Sequence, residues 1–155
     1  MADEAANSAV EFTGRFEHGV DGSHRVMIPR EWRPADGKTV FTLLPWPLKR
    51  PDHLLVLPPE RWQSAQQRLK TGFSLTNTHG AVVQRAVAGS AVRKPLDDAG
   101  RLCLGEKLTA LLGLSGKAGL VGCLDRFEIW EPGKLEETMG AIEQVADETL
   151  EQLMI

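Results

Sequence analysis

Two aspartate–arginine pairs in this chain have the residue types and spacing to do chemistry. Asp21 and Arg25 lie in Val20-Asp21-Gly22-Ser23-His24-Arg25-Val26-Met27-Ile28-Pro29. Asp97 and Arg101 lie in Leu96-Asp97-Asp98-Ala99-Gly100-Arg101-Leu102-Cys103-Leu104-Gly105, 76 residues further on. Each stretch is an apolar residue, an aspartate, three turn-type residues, an arginine and an apolar run. An aspartate opening a turn accepts backbone N–H bonds and fixes the loop. An arginine offers a planar fork of five donors that matches a phosphate or a guanine edge. Asp21 and Asp97 are therefore expected to hold the loops, while Arg25 and Arg101 face DNA phosphates or bases. The bare spacing is weakly specific, and as a solvated pair it would contribute only ~0–1 kcal/mol. Its context is specific, because both copies lead into an apolar strand and both are followed by matching elements. A tool presented twice suits a repetitive ligand, and double-stranded DNA is the expected one.

The flanking pattern sets out the elements that must position these loops. Phe12 to Val20 lacks helical periodicity and suits a strand. Val26-Met27-Ile28 is a short apolar strand ended by Pro29, and Arg30 to Arg33 can form a helical turn before Pro34. Strands are expected at Thr39–Leu44 and His53–Leu57. Pro59 then opens a helix carrying Trp62, Ala65, Gln66 and Leu69, ended by Gly72. Asn77 is placed to cap a second helix running to about Ala86. The series then restarts. Ala88–Leu96 matches Phe12–Val20, and Arg101–Leu104 matches Arg25–Ile28. A short helix carries Leu108, Leu111 and Leu112, with Gly113 beyond it. Ala118–Leu124 and Arg126–Trp130 match the two later strands. The last segment reads as an amphipathic helix with Leu135, Met139, Ile142, Val145 and Leu150 near one face. Neither half has enough apolar surface for its own core, so the halves are expected to pack or intertwine about a pseudo-twofold axis.

Composition narrows the function classes. The chain has 155 residues, 42% hydrophobic and 25% charged, and reads as globular. The acidic opening Met1-Ala2-Asp3-Glu4 is not that of a signal peptide. Cys103 and Cys123 are expected to be reduced core residues. The net charge of −3 is polarised: residues 125–155 carry nine acidic and two basic side chains, and the remainder is net positive. Such polarity allows a basic face opposite an acidic one.

The chain resembles the MraZ family from about Phe12 to Leu135. The resemblance is carried by Phe12-Thr13-Gly14, Asp21 to Arg25, Ile28-Pro29-Arg30-Glu31-Trp32-Arg33, Leu57-Pro58 with Trp62, Arg85, Leu96-Asp97 to Arg101, and Leu120-Val121-Gly122. Asp125-Arg126-Phe127-Glu128-Ile129-Trp130 is its most specific stretch. The resemblance implies an α/β (α+β) protein of two pseudo-symmetric AbrB-like swapped-hairpin β-barrel halves with flanking helices. The expected divisions are a flexible N-terminus (1–11), a first half (12–75), a connecting helix (76–87), a second half (88–135) and an acidic amphipathic helix (136–155). It also implies a bacterial, cytoplasmic, nucleoid-associated repressor of its own division and cell-wall operon. Such a protein reads repeated promoter boxes through the Asp-x-x-x-Arg loops and assembles into a ring-shaped homo-oligomer. The family's DNA-contacting loops carry over to Arg25 and Arg101; apart from the resemblance, the basic residues Arg15, Arg30, Arg33 and Lys94 are candidate phosphate contacts that set register. The sequence departs from the family at two places. Glycine usually precedes each motif arginine; Gly100 conforms and His24 does not. The family tends to have proline where this chain has Gly105.

Other constellations carry less. Ser23 and His24 lack a third orienting group for nucleophilic catalysis. His18, His53 and His79 lack metal-ligand spacing, so no metal or other cofactor is expected. Trp32, Trp46, Trp62 and Trp130 suit a core or an interface rather than base stacking. Gly113–Gly119 lacks the full phosphate-loop pattern. No catalytic cluster, membrane span or small-molecule site is expected. The competing expectation is an oligomeric protein-interaction scaffold of the same fold that has lost DNA binding.

Overall fold

The fold, a computed structural model, describes residues 10–72 and 78–153. Asn77 and nearly all of the expected flexible N-terminus lie outside the described residues.

Among the described residues, eight strands and five α-helices follow the expected series. The first half runs β1 (Arg15–Gly19), β2 (Arg25–Met27), a 3-10 turn (Arg30–Trp32), β3 (Val40–Trp46), β4 (His53–Leu57) and α1 (Pro59–Gly72). A connecting helix α2 (Thr78–Ser90) leads to β5 (Val92–Pro95), β6 (Arg101–Cys103), α3 (Gly105–Leu111), β7 (Lys117–Gly122) and β8 (Phe127–Trp130). The chain closes with α4 (Pro132–Met139), a 3-10 turn (Gly140–Gln144) and α5 (Asp147–Glu151).

One antiparallel sheet has the order β1-β7-β8-β4-β3-β5, and a separate ribbon pairs β2 with β6. Exchanging each strand of one half for its counterpart reverses the sheet order onto itself, so a pseudo-twofold axis passes between β4 and β8. The halves exchange strands: β1 pairs with β7 (Phe16 opposite Leu120), and β5 pairs with β3 (Val92 opposite Leu43). The expectation of barrel halves is corrected here. β1 and β5 stand at opposite edges of an open sheet, with no barrel closure among the described residues.

The core is shared between halves. Val26, Ile28, Leu102 and Leu104 under the ribbon join Phe41, Leu54, Phe127 and Ile129 of the sheet. Trp32 is fully buried at its centre, edge-on to Phe12 and Phe16 and tilted against Phe127 at 4.9 Å, and its indole N–H donates to the Thr13 carbonyl at 2.9 Å. Gly122 is required by close approach, since a Cβ there would come within 2.4 Å of the Phe12 backbone. Trp130 is buried and stacks on His53 at 4.1 Å, Trp62 is half-buried, and Trp46 is 37% exposed.

Two boundaries differ from expectation. α2 continues to Ser90, four residues past Ala86, because Val87 is buried and holds the extra turn. The single C-terminal helix is three short pieces: Val145 and Ala146 are extended, at ψ 129° and 142°. Among the described residues of this segment only Leu135 is buried, so little packing supports a continuous helix through Gly140, Ile142 and Val145.

Candidate nucleic-acid interface

The β2–β6 ribbon brings the two aspartate–arginine loops side by side. Its registers are Arg25 opposite Cys103, Val26 opposite Leu102 and Met27 opposite Arg101. Strand alternation buries Val26 and Leu102 completely. The opposite face therefore carries Arg25, Met27, Arg101 and Cys103.

The same bonds build both loops. Asp21 Oδ1 accepts the backbone N–H of Ser23 at 2.9 Å and of Arg25 at 3.0 Å, and Oδ2 accepts Arg25 Nε–H at 2.9 Å. Asp97 Oδ1 accepts Ala99 N–H at 3.0 Å and Arg101 N–H at 2.8 Å, and Oδ2 accepts Arg101 Nε–H at 2.9 Å. In the backbone, His24 N–H donates to the Asp21 carbonyl and Gly100 N–H to the Asp97 carbonyl. These bonds hold both carboxyls below the usual carboxylate range; the backbone N–H of Arg25 is the largest cause for Asp21, and that of Arg101 for Asp97.

The loops are also tied to each other. Ile28 N–H donates to the Gly100 carbonyl at 3.0 Å, and Leu104 N–H to the His24 carbonyl at 2.9 Å. Arg25 Nη1 stands 3.9 Å from Asp97 Oδ2, and Arg101 Nη1 stands 3.7 Å from Asp21 Oδ2. The four side chains thus close a ring of alternating charge, each about one-third exposed. The cross-loop distances are ion-pair contacts, too long for hydrogen bonds. From the arginine side chain, each aspartate therefore accepts only Nε–H. The terminal fork of each guanidinium keeps its donors, held in place by the carboxylate behind it.

His24 settles how the first loop does without glycine: it adopts the left-handed conformation itself, at φ +60°, where Gly100 has φ +81°. Gly105 has φ +80°, which a proline cannot adopt.

The remaining predicted contacts are dispersed. Arg30 is exposed beside the ribbon, at the start of the 3-10 turn. Lys94 is half-buried on β5, opposite Phe41. Arg15 lies on β1 in an ion pair with Glu136 of α4. Arg33 donates through Nε to the Ile28 carbonyl at 2.9 Å and through Nη2 to Met27 Sδ at 3.0 Å. Among the described residues no group of His, Cys, Asp and Glu could hold a metal ion, and no helix is long and apolar enough to cross a membrane.

The chain is 33% identical over 149 residues to the transcriptional regulator MraZ of Idiomarina loihiensis, covering 91% of this chain and 95% of the relative. It is 31% identical over 144 residues to that of Pediococcus pentosaceus, covering 92% and 96%. The chain belongs to the MraZ family. A third MraZ, from Clostridium tetani, is 30% identical over 144 residues, covering 90% of this chain and 97% of the relative. No family model matches. The MraZ family comprises regulators rather than enzymes.

Sequence reasoning overlooked two residues on the exposed ribbon face of this MraZ-family chain, Met27 and Cys103. Cys103 was expected in the core, yet both cysteines are free and only half-buried. The signal that could have found them is alternation from Arg25 and Arg101, two positions earlier in each strand.

Proposed function

We propose that this MraZ-family protein is a sequence-specific DNA-binding transcriptional regulator that represses its own division and cell-wall operon. The observation that carries the reading is the ring of Asp21, Arg25, Asp97 and Arg101 on the exposed face of the ribbon. It presents two guanidinium forks, pre-aimed by carboxylates and related by the pseudo-twofold axis. A two-stranded ribbon fits the major groove, and a free fork matches O6 and N7 of guanine or a phosphate. Asp21 and Asp97 fix the loops; Arg25 and Arg101 read the DNA. Arg30 and Lys94 contact phosphates and set register. Arg15 and Arg33 join them only by releasing Glu136 and the Ile28 carbonyl.

The ring is neutral overall, so a single copy binds weakly. A homo-oligomer, closed as a ring, engages repeated promoter boxes together and gains through effective concentration. The reading needs no cofactor and goes with a cytoplasmic, nucleoid-associated location.

The test is a gel shift on the DNA upstream of the protein's own gene, comparing wild type with Arg25→Ala, Arg101→Ala and the double variant. Wild type should bind in a salt-dependent way. Each single variant should weaken binding about tenfold, within the ~1–3 kcal/mol of a bidentate base contact. Equal binding by the double variant would refute the role of the arginines. The self-neutralised ring favours one second reading, an assembly scaffold without DNA binding. Retained assembly with no wild-type shift would select it.

A further inference from the structure

The C-terminal arm leaves its apolar side uncovered. Every described residue from Glu136 to Leu153 is exposed. Ile142 is 51% and Leu153 64% exposed, with Met139, Val145 and Leu150 close to 40%. This arm holds six acidic residues and no basic one. Apolar side chains at this density on three short helical pieces need a partner surface to order them. A second arm does not serve, because two such segments repel.

The pseudo-twofold axis points to the complementary surface. α1 follows β4 as α4 follows β8, so the α1–α2 hairpin occupies in the first half the place that the arm takes in the second. The two are opposite in charge. The segment from Pro59 to Ser90 carries Arg61, Arg68, Lys70 and Arg85 against the single acid Glu60. Arg61 is already paired with Asp125, whereas Arg68, Lys70 and Arg85 are exposed. The hairpin is also underpacked: α1 has no buried residue, Leu69 is half-buried, and Val82 on α2 is 52% exposed. Gln84 Nε2 donates to the Leu69 carbonyl at 3.0 Å and ties α2 to α1.

We propose that the acidic arm of one copy lies along the basic α1–α2 hairpin of the next copy. The contact joins two different surfaces, so it is head-to-tail. Contacts of this kind propagate and close where the rotation permits. Met139, Ile142 and Leu150 bury against Leu69 and Val82, while Glu143, Asp147 and Glu148 face Arg68, Lys70 and Arg85. The inference rests on the self-assembly proposed above and names the surfaces that carry it.

The test uses the full chain and reads its mass in solution by light scattering. One variant reverses the arm (Glu143→Lys, Asp147→Lys, Glu148→Lys). A second reverses the hairpin (Arg68→Glu, Lys70→Glu, Arg85→Glu). Circular dichroism should show both as folded as wild type, since all six residues are exposed. Each variant alone should fall from the assembled mass to that of one chain, 17.0 kDa. Mixed in equal amounts, the two should regain the assembled mass, because each reversed arm then meets a reversed hairpin. If either variant alone keeps the wild-type mass, or the mixture stays monomeric, the arm–hairpin contact is wrong while self-assembly stands. A monomeric wild type would overturn both. The gel shift is scored separately and bears on neither outcome.

Discussion

Arg33 packs directly over Gly100: a Cβ at residue 100 would come within 2.5 Å of its Nε and 2.6 Å of its Cζ. Glycine is thus required twice there, for the φ of +81° and for the space that Arg33 fills. In the other half the sizes are reversed, with His24 at the position of Gly100 and Thr109 at that of Arg33. The equivalent positions therefore differ in size between the halves, and the close approach of arginine to glycine belongs to the second loop.

Gly100→Ala should destabilise the protein by about 3 kcal/mol, combining left-handed strain with overpacking. Adding Arg33→Ala relieves the overlap but not the strain, so the double variant should cost less than the two single losses added together. Urea denaturation of the three variants measures the coupling. Simple additivity would mean that Arg33 does not press on residue 100.

His24→Gly should act in the opposite direction. Holding a non-glycine residue at φ +60° costs roughly 1–2 kcal/mol, part of which glycine returns as unfolded-state entropy. A net gain of up to about 1 kcal/mol is expected, raising Tm by about 2–4 °C. Calorimetry reads the shift, and a drop in Tm would show that the imidazole itself stabilises the loop.

The loops should be acid-sensitive. The folded-state carboxyls of Asp21 and Asp97 titrate below their unfolded value, so each contributes stability that is complete above that value. The contribution is lost as pH falls through the lowered folded values. Wild type should therefore outlast an Asp21→Asn/Asp97→Asn variant at about pH 6 and lose that advantage progressively once pH falls below the ordinary carboxylate value of 3.8. Denaturation midpoints across this range, with amide exchange at Ser23, Arg25, Ala99 and Arg101, check it.

Trp32→Ala should cost about 3–5 kcal/mol, since a fully buried indole leaves a cavity in the core both halves share. Trp32→Phe keeps an aromatic ring but leaves the Thr13 carbonyl without its donor, costing about 1–2 kcal/mol. Equal losses for the two would point to the hydrogen bond rather than the ring as the important part.

The loops were legible in the sequence because Asp21 and Asp97 act locally, through turn bonds within four residues. Pro59 and Gly72 marked α1 for the same reason. What was hidden depends on distant partners. The three-residue strand at Arg25–Met27 reads as the start of an apolar run, although Met27 faces outward with Arg25; the alternation was there, but its partner Arg101 lies 74 residues away. Nothing near Phe16 announces Leu120 as its partner, so the residues alone led only to halves that pack or intertwine, and the swapped hairpin came from the family resemblance. The C-terminal periodicity was real, but only Leu135 at its start packs on the sheet, and among the described residues beyond it the face stays exposed and the helix breaks.

The strand exchange also sets a timetable for synthesis. β1 leaves the ribosome about 100 residues ahead of its partner β7, which begins at Lys117, and Phe12 is bridged to Leu124. At about 5–20 residues per second, β1 waits seconds for its place in the sheet. The β3–β4 hairpin with α1 can form at once, because its contacts are local. The nascent first half therefore carries an unsatisfied strand that a neighbouring nascent chain could capture. Chains translated close together on one message have the opportunity to exchange β1 between copies before each can close on itself.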